Sequence, residues 1–196
     1  MKRTQRNLFI IMSVMMVIYL LIVRLPPPIA LGVAAAIVCV CLLLAIFAYD
    51  YFIARTHIRR RRWREAAERF ETFEKKLLAA SWRRATVLVF LSIYTFDAIA
   101  IVRNEIAQAL MNIDEFDAAD RWLKGALERD LQFSPAYVNL GAIAAIHRDA
   151  VTARKQISRA VHLGYSPEGA QRVLQRALAR GNARGGSQGD SSMDTR

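Results

Sequence analysis

The strongest constraint on this chain is that it echoes itself at an interval of 34 residues. Between Ala98 and Pro167 a slide by that interval places Ala107 on Gly141, Ala119 on Ala153, Leu123 on Ile157 and Ala126 on Ala160. Repeats of this length are two-helix units, and each unit buries its apolar face only by stacking on its neighbours. The small residues fall where two helices must approach closely, because a bulky side chain there would push them apart. Leu110, Phe116, Leu123, Tyr137, Leu140 and Ile157 fill the space around them as core. The expected body of the protein is therefore a short all-α solenoid.

The N-terminal quarter has a different character. The chain is 54% hydrophobic with a net charge of +11, and the apolar excess is concentrated before residue 54. Lys2, Arg3 and Arg6 precede an uncharged run, and Pro26-Pro27-Pro28 separates it from a second one. A bilayer core needs about 20 helical residues. Residues 8–25 and 29–53 therefore predict two membrane spans joined by a proline turn, with Arg24 snorkelling at the end of the first and Asp50, Tyr51 and Phe52 at an interface. No small-x-small cleavage site follows the first run, so it is not read as a signal peptide. Cys39 and Cys41 lie inside the second run and read as small apolar fillers; two cysteines make neither a disulfide framework nor a zinc site.

A basic collar follows, with Arg55, Arg59, Arg60, Arg61, Arg62 and Arg64. Basic residues at both outer ends of a hairpin, against Arg24 alone in its loop, place both ends in the cytoplasm by the positive-inside rule. The collar is thus expected to be topogenic and to lie beside anionic lipid headgroups. It lacks interleaved aromatics beyond Trp63 and carries no nucleic-acid motif, so nucleic acid is not an expected partner.

Trp63 to Ala80 has apolar residues Ala66, Phe70, Phe73 and Leu77 at helical spacing, with charges of both signs between them. Ser81 is a candidate cap for a following helix. Ala85 to Val102 carries Asp97 as its only charge and would be a third span if unbroken. An Asp inside a span costs about 2.5–3.5 kcal/mol, and Asp97 suits an N-cap. A break near Thr95-Phe96-Asp97 is therefore expected, with a helix starting at Ala98.

The repeated residues resemble the tetratricopeptide family. Asn104-Glu-Ile-Ala107-Gln-Ala-Leu110, Asp114-Glu-Phe116-Asp-Ala-Ala119, Leu123 and Ala126-Leu127 resemble one unit. Tyr137-Val-Asn-Leu140-Gly141, Ala153, Ile157, Ala160-Val161 and Pro167 resemble a second. Trp63-Arg-Glu-Ala66-Ala-Glu-Arg-Phe70 is similar to the second helix of a further unit, whose first helix the end of the second span would replace. Asp114 and Arg148 stand where the family usually has glycine, and Pro135 comes later than usual. The resemblance implies a scaffold that holds a protein or peptide partner in a groove lined by the first helices. Matching the spacing gives Asn104, Gln108, Met111 and Asn112 from one unit, Val138, Ala142 and Ala145 from the next, and Arg172 and Arg176 from a helix that opens at Pro167 and caps the array. Val138 and Ala142 argue against a clamp for a terminal carboxylate and for an internal peptide or another subunit.

Catalytic signatures are lacking. The sequence has no phosphate-binding GxxxxGK loop, nucleophile elbow or HExxH pair, and His57, His147 and His162 are widely separated. No enzyme, cofactor or metal is expected. The organisation read from the sequence is a hairpin over 1–54, collar and membrane-proximal helices over 55–97, two repeats and a capping helix over 98–180, and a disordered tail over 181–196. It predicts a multi-pass inner-membrane protein of bacterial type presenting cytoplasmic repeats to a protein partner. The second reading is a structural subunit of a membrane complex, or a homo-oligomer, that uses the helices as its interface.

Overall fold

The computed structural model describes residues 23–79 and 94–190, together with 9, 12–14, 16–17 and 19–20. The described residues form helices without strands: α1 (Pro27–Phe47), α2 (Tyr49–Arg59), α3 (Trp63–Ala79), α4 (Ala98–Asn112), α5 (Phe116–Arg129), α6 (Ser134–Ile146), α7 (Ala150–His162) and α8 (Pro167–Asp190). Three successive pairs, α2–α3, α4–α5 and α6–α7, are the units of the stack, and α8 lies over the last.

The turns show how closely the pairs are related. The helix-ending motif that bonds an N–H five residues back closes α2, α4, α6 and α7 alike. Arg62 donates to His57 O at 2.9 Å, Glu115 to Leu110 O at 3.0 Å, Asp149 to Ala144 O at 2.9 Å and Tyr165 to Ala160 O at 3.0 Å. The residue before each donor is left-handed: Arg61 (φ 58°), Asp114 (66°), Arg148 (63°) and Gly164 (102°). Asp114 and Arg148 thus occupy the conformation that glycine adopts without strain, and Arg61 is their equivalent 53 residues ahead of Asp114. The same offset puts Ala54 on Ala107, Ala66 on Ala119 and Phe70 on Leu123, and the six are fully buried. The first pair is therefore a complete unit, separated from the second by 19 residues more than the 34-residue period.

This unit corrects the reading of the N-terminal quarter. Among the described residues no helix is long and apolar enough to cross a membrane. The expected two-span hairpin, and the multi-pass membrane location built on it, are thereby overturned. The span predicted at 29–53 is not one helix: α1 ends at Phe47, the chain turns at Ala48, and the remainder enters α2. There Asp50 is buried and pairs with Lys76 and, at 3.8 Å, with Arg69. Tyr51 packs edge-on against Phe70, ring centroids 5.4 Å apart. These residues belong to the core of the first unit and mark no interface. Much of the span predicted at 8–25, the cap at Ser81, and residues 85–93 of the run considered as a third span lie outside the described residues. The break expected within that run stands where Asp97 caps α4, accepting from the N–H groups of Ile99 and Ala100 at 2.9 and 3.0 Å.

Three of the six collar arginines pair with acidic residues of the protein itself. Arg55 pairs with Glu105 at 2.9 Å, Arg64 with Glu115 at 2.6 Å and Arg62 with Glu65 at 3.5 Å, while Arg61 makes the left-handed turn and Arg59 and Arg60 are exposed. Their expected topogenic role falls with the hairpin. Cys39, expected as a filler, is exposed. At the other end, α8 continues to Asp190, through the stretch expected to be a disordered tail from Gly181. Gly181 sits against α6, where an added Cβ would lie 2.9 Å from the Ile146 carbonyl oxygen, and Arg184 pairs with Asp114 at 3.1 Å. Residues 191–196 lie outside the described set.

Candidate functional site: a groove between α4, α6 and α8

Small residues set the helix spacing that creates this site. A Cβ on Gly141 would lie 3.0 Å from Ile157 Cγ1 and 3.2 Å from the Ala153 carbonyl oxygen, so α6 and α7 meet nearly backbone to backbone. With α7 on one side, α5 on another and α8 on a third, α6 is buried almost all round. One edge of it borders a cavity, at Asn139, Ala142 and Ile146, which share a helix face at spacings of three and four.

That edge faces a cavity of about 390 Å³. The far wall is the last turn and a half of α4, with Gln108, Met111 and Asn112. The third wall is α8, with Val173, Arg176, Ala177 and Arg180, and Tyr165 closes one end. Apolar contact is offered by Met111, Ile146 and Val173, while Gln108, Asn112, Asn139 and Arg176 supply hydrogen-bonding groups. Protein pockets that bind peptides combine these two kinds of surface.

Arg180 holds the walls in place. Its guanidinium donates at 3.0 Å to the Met111 carbonyl oxygen, which also accepts the Asp114 N–H at 3.4 Å, and it pairs with Asp114 in the following turn. Arg180 and Arg184 both lie over the Phe116 ring, at 5.6 and 4.9 Å from its centre. Arg176, one turn earlier, is exposed, donates Nε to the Arg172 carbonyl at 3.2 Å and has no acidic partner among the described residues.

The groove residues expected from the sequence divide into two sets. Gln108, Met111, Asn112, Ala142 and Arg176 line the cavity. Asn104, Val138 and Ala145 are buried between helices, and Arg172 is exposed but outside the cavity. Asn104 is a structural link, its Oδ1 accepting from Asn139 Nδ2 at 2.8 Å across the unit boundary. Asn139, Ile146, Tyr165, Val173, Ala177 and Arg180 complete the site and were not expected there. Asn139 did carry a signal, as the one amide side chain in the apolar sequence of α6.

Among the described residues no three His, Cys, Asp or Glu side chains cluster to hold a metal. His57 Nδ1 lies 2.8 Å from Glu65, His147 stands edge-on to Phe116, and His162 is exposed. Two buried groups near the first unit are perturbed. Burial pushes the Tyr51 hydroxyl up to about 12. It also raises the Glu105 carboxyl above the ordinary range, against the opposing pull of Arg55. Both lie outside the cavity.

No family model, curated protein or solved structure matches this chain.

Proposed function

We propose that this protein is a tetratricopeptide-like scaffold, without catalysis of its own, that holds an extended segment of another protein in the groove between α4, α6 and α8. The observation that carries the reading is the cavity itself. It opens along the first helices of two successive units, and it gathers apolar walls, amide groups and an arginine without an acidic partner. Its volume accommodates one or two side chains of a segment lying across it.

The test is a selection of peptides from a random library on the full chain, followed by affinity measurements on the winners. Gln108→Ala combined with Arg176→Ala should weaken binding about tenfold or more, which corresponds to about 1.4 kcal/mol. The same change at Arg121 and Lys124, on the exposed side of α5, should leave it unaltered. Equal loss from both pairs, or none from the first, would remove the groove from the reading.

A specific observation favours a second reading, that of an assembly subunit. Helix α1 leaves Leu31, Val38, Leu42, Leu43 and Ile46 between 53% and 73% exposed, and contiguous apolar surface of this kind marks interaction sites. A discrete oligomer in sedimentation, dispersed by Leu42→Glu, would support this reading over a monomeric peptide binder.

A further inference from the structure

Tyr137 lies on α6 two residues before Asn139, and so on nearly the opposite side of the helix from the groove. There it borders a second depression of about 580 Å³, whose other wall is α7 with Lys155, Gln156, Ser158, Arg159 and His162. We propose that this depression binds a phosphate monoester carried on a protein segment.

The argument begins with charge. Most basic side chains in the first two units are matched: Arg55, Arg62, Arg64, Arg69, Lys76, Arg103, Lys124 and Arg129 each face an Asp or Glu. Lys155, Arg159 and His162 face none among the described residues, and all three are exposed. Their spacing of four and three residues puts them on one face of α7, so their fields add. Capping does not account for them, because Leu163, Gly164 and Tyr165 already donate to the carbonyls of Arg159, Val161 and Ala160.

Geometry adds the rest. The Arg159 guanidinium lies over the Tyr137 ring, 6.0 Å from its centre, and both border the depression. Tyr137 is itself fixed, its hydroxyl donating to the Leu131 carbonyl at 3.0 Å. Ser158 adds a hydroxyl donor. Two cations and an adjacent imidazole match the charge of about −1.5 to −2 on a phosphate monoester, and an arginine can bind two of its oxygens at once. The depression is much larger than a single anion, and the Tyr137 ring offers an apolar wall to whatever carries the group.

Titrating the full chain with phenyl phosphate, followed through the amide chemical shifts of residues 158–162, tests the site. Saturable shifts confined to this region are expected. Lys155→Gln with Arg159→Gln should weaken binding about tenfold, while Arg121→Gln with Lys124→Gln should not. Circular dichroism checks that each variant is folded; these side chains are exposed, so folding is expected to persist. Inorganic phosphate should bind several-fold more weakly than phenyl phosphate, and a phosphoserine peptide more tightly than its unphosphorylated form. Absence of saturable shifts, or unchanged binding in the first double variant, would overturn the site. Equal affinity for inorganic and phenyl phosphate would overturn the carried ester. Tighter binding of a single-stranded oligonucleotide than of the phosphopeptide at the same amides would overturn the protein carrier.

Discussion

Tyr49–Ala79 and Ser134–His162 are one helix-pair template built with different materials. The first pair fills its interior with aromatics, Tyr51, Phe70 and Phe73, and is tied to the next unit by charge: Arg55 to Glu105, Arg64 to Glu115, and Glu74 to Arg103. The last pair closes on small residues, Gly141 against Ala153 and Ile157, and is tied to its neighbour by the amide contact of Asn139 with Asn104. Its cations on α7 are left without acidic partners among the described residues. The difference separates two tasks. Several charges at the entry end hold the stack together, whereas polar groups at the exit end line the two cavities described. Both candidate binding surfaces lie there.

The largest way to break this contrast is at the entry end. Arg103 Nε meets Glu74 at 2.6 Å, and its terminal nitrogen donates to the Gly125 carbonyl at 2.8 Å, so one side chain ties α3, α4 and α5. Both partners are mostly shielded, with side chains 20% and 7% exposed. Glu74→Ala leaves a shielded guanidinium without its carboxylate and should destabilise by about 3 kcal/mol in urea unfolding. A loss below about 1 kcal/mol, typical of surface pairs, would mean that charge does not hold the entry end.

At the exit end the matching test is Gly141→Ala. Alanine is the better helix former by about 1 kcal/mol, but its methyl would press on Ile157 and on the Ala153 carbonyl, and overpacking costs about 1–3 kcal/mol. The net expectation is a loss of about 1 kcal/mol. In an Ile157→Ala background the obstruction is largely gone and the sign should reverse. If Gly141→Ala stabilises the unaltered protein, close packing is not what fixes α6 on α7.

The turns give a smaller, stabilising effect. An ordinary residue in the left-handed conformation costs about 1–2 kcal/mol, part of which glycine returns through greater freedom in the unfolded chain. Arg148→Gly should therefore raise stability by about 0.5–1 kcal/mol, read as a higher melting temperature. Asp114→Gly should gain nothing, because Asp114 also pairs with Arg180 and Arg184. Equal gains would show that those pairs contribute little to anchoring α8.

How far the sequence could be read follows from the same contrast. The later units were legible because Ala107 and Gly141, or Ala119 and Ala153, repeat at a constant interval. Of the first unit only the second helix was legible, at Ala66 and Phe70; its first helix was hidden because the interval to the next unit is 53 residues and because α2 begins directly after an uncharged run. Length and hydropathy carried that run through Ala48, whereas Asp50 finding Lys76 and Arg69 is a tertiary event that no local pattern reports. In the groove, Gln108, Met111 and Arg176 could be placed by helical phase. Asn104 could not, since its partner Asn139 lies 35 residues on. Arg180 was invisible for a similar reason: its target, the end of α4, is 69 residues earlier.

The smallest effect expected is a pH dependence at Glu105, where two influences oppose each other. Burial raises its pKa and Arg55 lowers it, with burial prevailing. The folded state then takes up the proton more readily than the unfolded state, so its stability rises as pH falls from neutrality toward the ordinary carboxylate value of 4.5. The benefit is complete below that value and is lost as pH rises through the folded-state pKa. Glu105→Gln abolishes this titration while other groups cancel in the comparison. Wild type should accordingly gain on the variant between about pH 7 and pH 5 in urea unfolding. A gain in the opposite direction would mean that the ion pair with Arg55 outweighs burial. In that case the contact of the largely shielded Glu105 with Arg55 would be a net attraction, and charge would hold the entry end more strongly than burial opposes it.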